Sequence, residues 1–277
     1  MILDGKKVSQ RIKDEVAKEA LGLREKGIRP GLAVILAGND PASRVYVNNK
    51  KKACEYCNIH SEEYTFDENV KEEALLELID CLNASKSIHG ILVQLPLPKH
   101  IDEKKIINAI SEKKDVDAFT PANVGKIMIG DYDFLPCTPA GVMELIKESG
   151  IDVKGKECVV VGRSNIVGKP QAMLLLHSHG TVTICHSKTE NLKEVTKRAD
   201  ILVVAIGKAK FITADMVKKG AVVIDVGMDR DEEGKLCGDV DFESVKGVAG
   251  AITPVPGGVG PMTIAMLMKN TIKAAAL

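Results

Sequence analysis

Short apolar runs of strand length alternate with amphipathic helical patterns from one end of the chain to the other, and this alternation limits the fold more than any other feature. Strands separated by helices join through crossovers, so the pattern predicts parallel sheets covered by helices on both faces. Val8, Ile12 and Val16 recur every four residues and Gly27 follows, which predicts an amphipathic helix with a glycine stop. Residues 31–37 (GLAVILA) read as a buried strand, 43–56 and 72–82 as helices, and 90–95 (GILVQL) as a second strand. A second series begins near Thr138. It has helices over 139–147 and about 167–177, strands over 158–162, 182–185, 201–205 and 221–226, a short last strand over 250–253, and a closing helix over 262–276. Residues 115–139 are richer in Gly, Pro, Asn and Asp and form the expected boundary between two α/β domains, 1–138 and 139–264.

A length of 277 residues fits two domains at about 150 residues each, or one large one. Lys+Arg and Asp+Glu both number 38, so the formal charge is zero, which argues against nucleic acid or an anionic membrane as a main partner. No apolar run approaches the roughly 20 residues that span a bilayer. Residues 1–26 mix apolar and charged side chains and do not read as a signal peptide. With no Trp and 3% aromatics, the core must come from Val, Ile, Leu, Met and Ala. The seven scattered cysteines, without a secretory signal, read as reduced thiols of a cytosolic protein. Cys54 and Cys57 have the spacing of a redox or zinc pair, but one such pair inside a helical pattern is better read as two packed thiols. His177 and His179 read as a helix end, and no metal site is expected.

Residues 159–168 run from a buried strand through a glycine-bearing turn into a helix, the context that a dinucleotide fingerprint requires. Gly162 permits the tight turn, Gly168 lets the helix sit close to the strand, and free N–H groups at the helix start face the pyrophosphate. The pattern departs from G-x-G-x-x-G, because Ser164 holds the middle glycine position and the last glycine is one residue late. An NAD site carries an acid about 20 residues on; here the next strand ends in Cys185-His186-Ser187-Lys188. Arg163 and Ser187, with Lys188 beside them, suit a 2′-phosphate and therefore NADP, whereas the alternative is that Arg163 and Lys188 are solvated surface charges.

Tyr46 and Lys50 are four apart on a predicted helix and share one face. A phenol beside an amine can stack on a flat substrate and move a proton, provided burial or a cationic neighbour brings the amine towards neutral pH. The alternative for a run of lysines is a solvated basic face. Gln94 ends an apolar strand, where a polar amide points into the crevice that holds ligands. Asp115 and Asp117 are two carboxylates before the boundary, too few for a metal site. Residues 253–263 form a stiff, glycine-rich loop able to press backbone groups against a ligand.

Taken in order, residues 43–54 (SRVYVNNKKKAC), 90–98 (GILVQLPLP), 114–117 (KDVD), 162–168 (GRSNIVG) and 254–263 (PVPGGVGPMT) resemble the bifunctional methylenetetrahydrofolate dehydrogenase/methenyltetrahydrofolate cyclohydrolase family over almost the whole length. The resemblance implies an N-terminal α/β catalytic and folate-binding domain, a C-terminal Rossmann-like NADP-binding domain, a cleft between them, a closing helix over about 265–277 that packs back on the first domain, and a homodimer. It implies that Lys50 transfers the proton in the cyclohydrolase step, that Gln94 tunes Lys50, that Tyr46 stacks on the folate and that Asp117 anchors the pterin. Leu95, Gly257, Gly258 and Pro261 would complete the substrate contacts. Gly162, Arg163, Ser164, Ile166, Val167, Gly168, His186, Ser187 and Thr253 would hold NADP. Ala118, where many relatives carry Gly, is a departure that touches no proposed catalytic group. The rival readings are a dehydrogenase that has lost the cyclohydrolase and a non-enzymatic dinucleotide-binding module; the presence of both Lys50 and Gln94 argues against each.

Overall fold

The computed structural model describes residues 1–277, the side chains of residues 41 and 42 excepted. By its contacts the chain divides into two compact units: Gln10–Cys137 with Ile264–Leu277, and Met1–Ser9 with Thr138–Thr263. Among the described residues no helix is long and apolar enough to cross a membrane.

The first half of the chain contains α1 (Gly5–Glu25), β1 (Gly31–Ala37), α2 (Pro41–Tyr56), β2 (His60–Phe66), α3 (Glu72–Ala84), β3 (Gly90–Val93), α4 (Glu103–Ala109) and α5 (Pro121–Ile129). The three strands form a parallel sheet in the order β2-β1-β3, with Gly31 opposite His60 and Leu32 opposite Gly90. All seven residues of β1 are buried, which is why a central parallel strand reads as an unbroken apolar run. β2 is absent from the sequence reading because it is an edge strand, partly open to solvent and written HSEEYTF. Ile35, Leu75, Ile79, Ile91 and Ile106 form the centre of this unit's aliphatic core. The stretch read as a boundary holds α5, whose N-terminus is capped by Thr120 and whose end is the left-handed Gly130 at φ 81°.

The second half contains α6 (Cys137–Glu148), β4 (Glu157–Val161), α7 (Gly168–His177), β5 (Thr181–Cys185), α8 (Leu192–Thr196), β6 (Ile201–Val204), β7 (Val222–Asp225), β8 (Asp229–Arg230), β9 (Leu236–Cys237), α9 (Phe242–Val245), β10 (Ala251–Ile252) and α10 (Val259–Ala276). Its five-stranded sheet has the order β10-β7-β6-β4-β5, and every neighbouring pair is parallel. The chain goes from β4 to β5 on one side and returns to β6 on the other, so the strand order reverses at β4. Ligands of such sheets lie outside the carboxyl ends of the strands at that reversal. Met1–Ser9 groups with this unit, a difference from the expected span of 1–138. The physical reason is backbone pairing: the Leu3 N–H donates to Ile252 O at 2.8 Å, and the Ile252 N–H donates to Met1 O at 3.0 Å.

Ile35 is fully buried in the middle of β1. Ile35→Ala should lower the stability of its unit by about 2–5 kcal/mol, read from the shift of its urea unfolding transition.

Candidate active site

The site in the three-stranded unit begins at the start of α2, where Asp40 Oδ2 accepts the Ser43 N–H at 2.8 Å and the Ser43 hydroxyl at 2.7 Å. This cap sets the helix so that Lys50 is 7% exposed while its neighbours Lys51 and Lys52 lie in solvent. The solvated-face alternative therefore fits Lys51 and Lys52 and fails for Lys50. Lys50 Nζ donates to Gln94 Oε1 at 2.7 Å. Gln94 is fixed in turn: its Nε2 donates to Leu95 O at 2.7 Å, and its backbone N–H donates to Ile35 O at 2.8 Å beyond the end of β3. The peptide bond that follows, Leu95–Pro96, is cis. Tyr46, one turn before Lys50, is partly buried, and burial raises its phenol above the ordinary value.

The two carboxylates near the boundary have different work. Asp115 is 2% exposed and accepts the N–H groups of Phe119 at 3.1 Å and Thr120 at 2.8 Å and the Asn123 amide at 2.9 Å, so it braces the loop. Asp117 accepts the Cys137 N–H at 3.3 Å and acts electrostatically on Lys50. Burial pushes the Lys50 amine below the ordinary lysine value, and the Asp117 charge opposes that shift. Burial likewise raises the Asp117 carboxyl, and Lys50 opposes it. Sequence reasoning missed two further residues. Cys137 is 1% exposed, with its thiol against the Val116 carbonyl at 3.4 Å and pushed up by burial. Asn270 donates to the carbonyls of Val116 and Leu135, both at 2.8 Å, and so ties the Asp117 loop to the segment before Cys137. The available signal was the one amide in the closing helix, which is mostly apolar apart from Thr263, Lys269, Thr271 and Lys273. Ala118 has φ 56°, a left-handed backbone that explains why glycine suits the position.

Cys54 and Cys57 are buried free thiols, and burial raises them to about 12 and about 11. Thiols held so high are poor nucleophiles and poor metal ligands at neutral pH.

In the five-stranded unit, the turn after β4 carries the fingerprint residues. Gly162 has φ +133°, and a Cβ there would lie 2.2 Å from the Ala205 carbonyl oxygen. A Cβ at Gly168 would lie 2.3 Å from the Gly162 carbonyl oxygen. Both positions therefore need glycine for close backbone approach. Ser164 braces the turn: its hydroxyl accepts the N–H groups of Val167 at 3.1 Å and Gly168 at 3.3 Å just ahead of α7, so these two groups are occupied rather than free. Arg163 and Ile166 are exposed, and Val167 is partly buried. After β5, the His186 N–H donates to Thr189 Oγ1 at 2.9 Å, and the Lys188 N–H donates to His186 Nδ1 at 3.1 Å. Ser187 and Lys188 are thus exposed on a turn that Thr189, unnoticed in the sequence, holds together. Thr253 is 1% exposed and its hydroxyl accepts the Asp225 N–H at 2.8 Å. Gly257 has φ +106° and follows the cis peptide Val255–Pro256; Gly258 is packed so closely that a Cβ would lie 2.6 Å from the Pro254 carbonyl oxygen; Pro261 is partly exposed in α10.

Fold and site define an α/β protein with a dinucleotide-type glycine turn in one unit and a buried lysine–amide pair in the other. Residues 3–117 match the catalytic domain of the tetrahydrofolate dehydrogenase/cyclohydrolases, and residues 136–277 match their NAD(P)-binding domain. The sequence is 68% identical over 276 residues to the bifunctional protein FolD of Acetivibrio thermocellus, covering 100% of this chain and 97% of that relative. The structure is similar to the crystal structure of the bifunctional enzyme FolD, a methylenetetrahydrofolate dehydrogenase/cyclohydrolase from Campylobacter jejuni, with TM-score 0.97, 52% identity and coverage of 100% and 98% of the two chains. It is also similar to the Trypanosoma brucei dehydrogenase-cyclohydrolase complexed with NADP and an inhibitor, with TM-score 0.95, 40% identity and coverage of 100% and 97%. The chain belongs to the tetrahydrofolate dehydrogenase/cyclohydrolase family.

Gly162→Ala should place a Cβ in the backbone of the neighbouring turn and force a left-handed alanine, at a cost of about 1–2 kcal/mol for the conformation alone. Thermal unfolding should fall accordingly and dinucleotide affinity should drop with it.

Proposed function

We propose that the protein oxidises 5,10-methylenetetrahydrofolate to 5,10-methenyltetrahydrofolate with NADP and then hydrolyses the methenyl compound to 10-formyltetrahydrofolate. The observation that carries this reading is the hydrogen bond of 2.7 Å from the buried Lys50 amine to the half-buried Gln94 amide, because hydride transfer alone asks for no such pair. Family membership supports both halves of the reaction.

The residues after β4 fit a dinucleotide. Gly162 and Gly168 let main chain approach main chain where a Cβ would strike, and the start of α7 adds the positive end of a helix. Arg163 and Ser187, with Ser164 and Lys188, would hold the 2′-phosphate of NADP, while Ile166, Val167, His186 and Thr253 line or brace the turns around it. NADP held there would supply the acceptor for the hydride of the substrate's methylene bridge. Positioning dominates that step. Tyr46 stacks on the folate ring, and the Asp117 carboxylate accepts N–H groups of the pterin.

Hydrolysis needs a proton carrier. Water adds to the methenyl carbon and Lys50 in its neutral form takes one water proton, giving a neutral carbinolamine; the ammonium then protonates the departing ring nitrogen as its bond to that carbon breaks, and the carbinol hydroxyl loses its proton to solvent as the formyl carbonyl forms, so one proton is released per turnover. Gln94 Oε1 holds the amine at the attack position and accepts one of its N–H groups, and burial lowers the cost of the neutral form. The proposal extends to a homodimer in the cytosol, supported by the resemblance and by seven cysteines that are all free thiols.

Lys50→Met should lower methenyl hydrolysis by at least 10²–10⁴-fold, roughly the worth of general acid–base help, while some NADPH formation survives. Gln94 acts through Lys50, so the double variant should be barely worse than Lys50→Met. In the wild type, hydrolysis should rise with pH as the amine deprotonates, with a midpoint below the ordinary lysine value. Hydrolysis near the wild-type rate in Lys50→Met would remove the lysine from the reaction.

Arg163→Ala should raise KM for NADP far more than for NAD, by a charged phosphate contact worth about 1.5–3 kcal/mol. Steady-state kinetics with each cofactor decide it; equal wild-type efficiency with both would reject the NADP preference.

A further inference from the structure

Beyond β6 the chain turns through Ala205, Ile206, Gly207 and Lys208. The Ala205 carbonyl sits 2.2 Å from where a Gly162 Cβ would be, so this turn lies directly against the glycine turn of the dinucleotide site. One carboxylate grips its backbone. Asp239 Oδ2 accepts the Ile206 N–H at 2.7 Å, and Asp239 Oδ1 accepts the Lys208 N–H at 2.6 Å. A second carboxylate stands behind the first. Asp225 Oδ1 accepts the N–H groups of Asp239 at 3.0 Å and Gly227 at 2.9 Å, and Asp225 Oδ2 accepts that of Val240 at 2.9 Å.

Both carboxylates are withdrawn from water, Asp239 at 0% and Asp225 at 3% exposure. Burying a carboxylate is expensive unless its oxygens are hydrogen-bonded, and here five backbone N–H groups meet the requirement. Burial still pushes Asp225 up to about 7. The surrounding chain is shaped to admit them. A Cβ at Gly238 would lie 2.0 Å from Asp225 Oδ2, and a Cβ at Gly227 would lie 2.5 Å from the Asp239 carboxyl carbon. Two glycines are thus committed to letting two carboxylates reach the backbone. None of these residues belongs to the fingerprint turn.

We propose that Asp239 is a positioning residue for the cofactor, holding the turn 205–208 at the carboxyl end of β6, with Asp225 fixing Asp239 from behind. The turn stands where the strand order reverses, the place at which sheets of this kind bind dinucleotides. That the turn serves NADP rests on the function proposed above; that Asp239 immobilises it does not.

Asp239→Asn keeps the shape of the side chain but leaves one carbonyl oxygen for two backbone donors. It should raise KM for NADP about tenfold, with kcat at saturating NADP and methenyl hydrolysis held within about twofold. An unchanged KM overturns the proposal. So does a parallel fall of KM-independent kcat and of hydrolysis, which would mark a general structural role. A second measurement needs no variant. In the wild-type protein without cofactor, the amide of the exposed residue Lys208 should be protected from hydrogen exchange like that of partly buried Ile206. Exchange of the Lys208 amide at the rate of an open loop overturns the clamp even where Asp239→Asn fails to fold. If wild-type protein oxidises no methylenetetrahydrofolate, the proposed function fails instead, and NADPH affinity read by its fluorescence still tests the clamp: equal affinity in wild type and Asp239→Asn rejects it.

Discussion

An ammonium group taken out of water must be paid for by its surroundings, and the three-stranded unit is arranged around one such group. Of three consecutive lysines, only Lys50 is buried. Gln94 Oε1 meets its Nζ directly, and the Asp117 charge favours the protonated form that burial opposes. The balance needs the register of α2, the last residue beyond β3 and a loop that Asp115 and Asn270 hold in place. An isolated Lys50 would be a liability to the fold; with these partners it is an amine of moderated basicity whose proton can move.

The five-stranded unit solves a different problem, which is bringing backbone to a ligand. Gly162 and Gly168 remove side chains where main chain meets main chain, and the Ser164 hydroxyl holds the turn that leads into the helix. The departure of this turn from the usual glycine pattern becomes intelligible. A serine in the middle position accepts the N–H groups of Val167 and Gly168, so the sequence trades closeness at that point for a braced turn.

Much of this was legible in the residues because buried parallel strands leave a strong trace. β1 and β6 are unbroken apolar runs, β4 and β7 are apolar but for one acid at an end, Glu157 and Asp225, and the limits of all four in the structure fall within a residue or so of those read from the sequence. β2 left no such trace, since an edge strand in partial contact with water is written in polar residues. α5 was concealed for another reason: Pro121 and Gly130 resemble linker residues in composition, but they occupy the start and the end of a helix. The pairing of Met1 and Leu3 with Ile252 joins residues almost a whole chain apart, and no local pattern announces it. Within the site, helical spacing put Tyr46 and Lys50 on one face, but burial of Lys50 and not Lys51 depends on what the sheet places opposite. Ala118 touches no proposed catalytic group, yet its backbone at φ 56° makes the departure from glycine a conformational one.

Lys50 and Gln94 are 44 residues apart along the chain and meet through a sheet in which β1 pairs with β3 as well as β2. Parallel partners of this kind come together only after crossover segments have closed, so their contacts are non-local and form late. Until then Lys50 is an ordinary solvated amine on a helix, with ordinary basicity and no amide to hold it. A nascent chain, or a proteolytic fragment that ends before β3, carries the lysine and none of its chemistry. Reactivity in this unit is a property of completed topology, and a chain that has not finished folding has no means of opening its substrate.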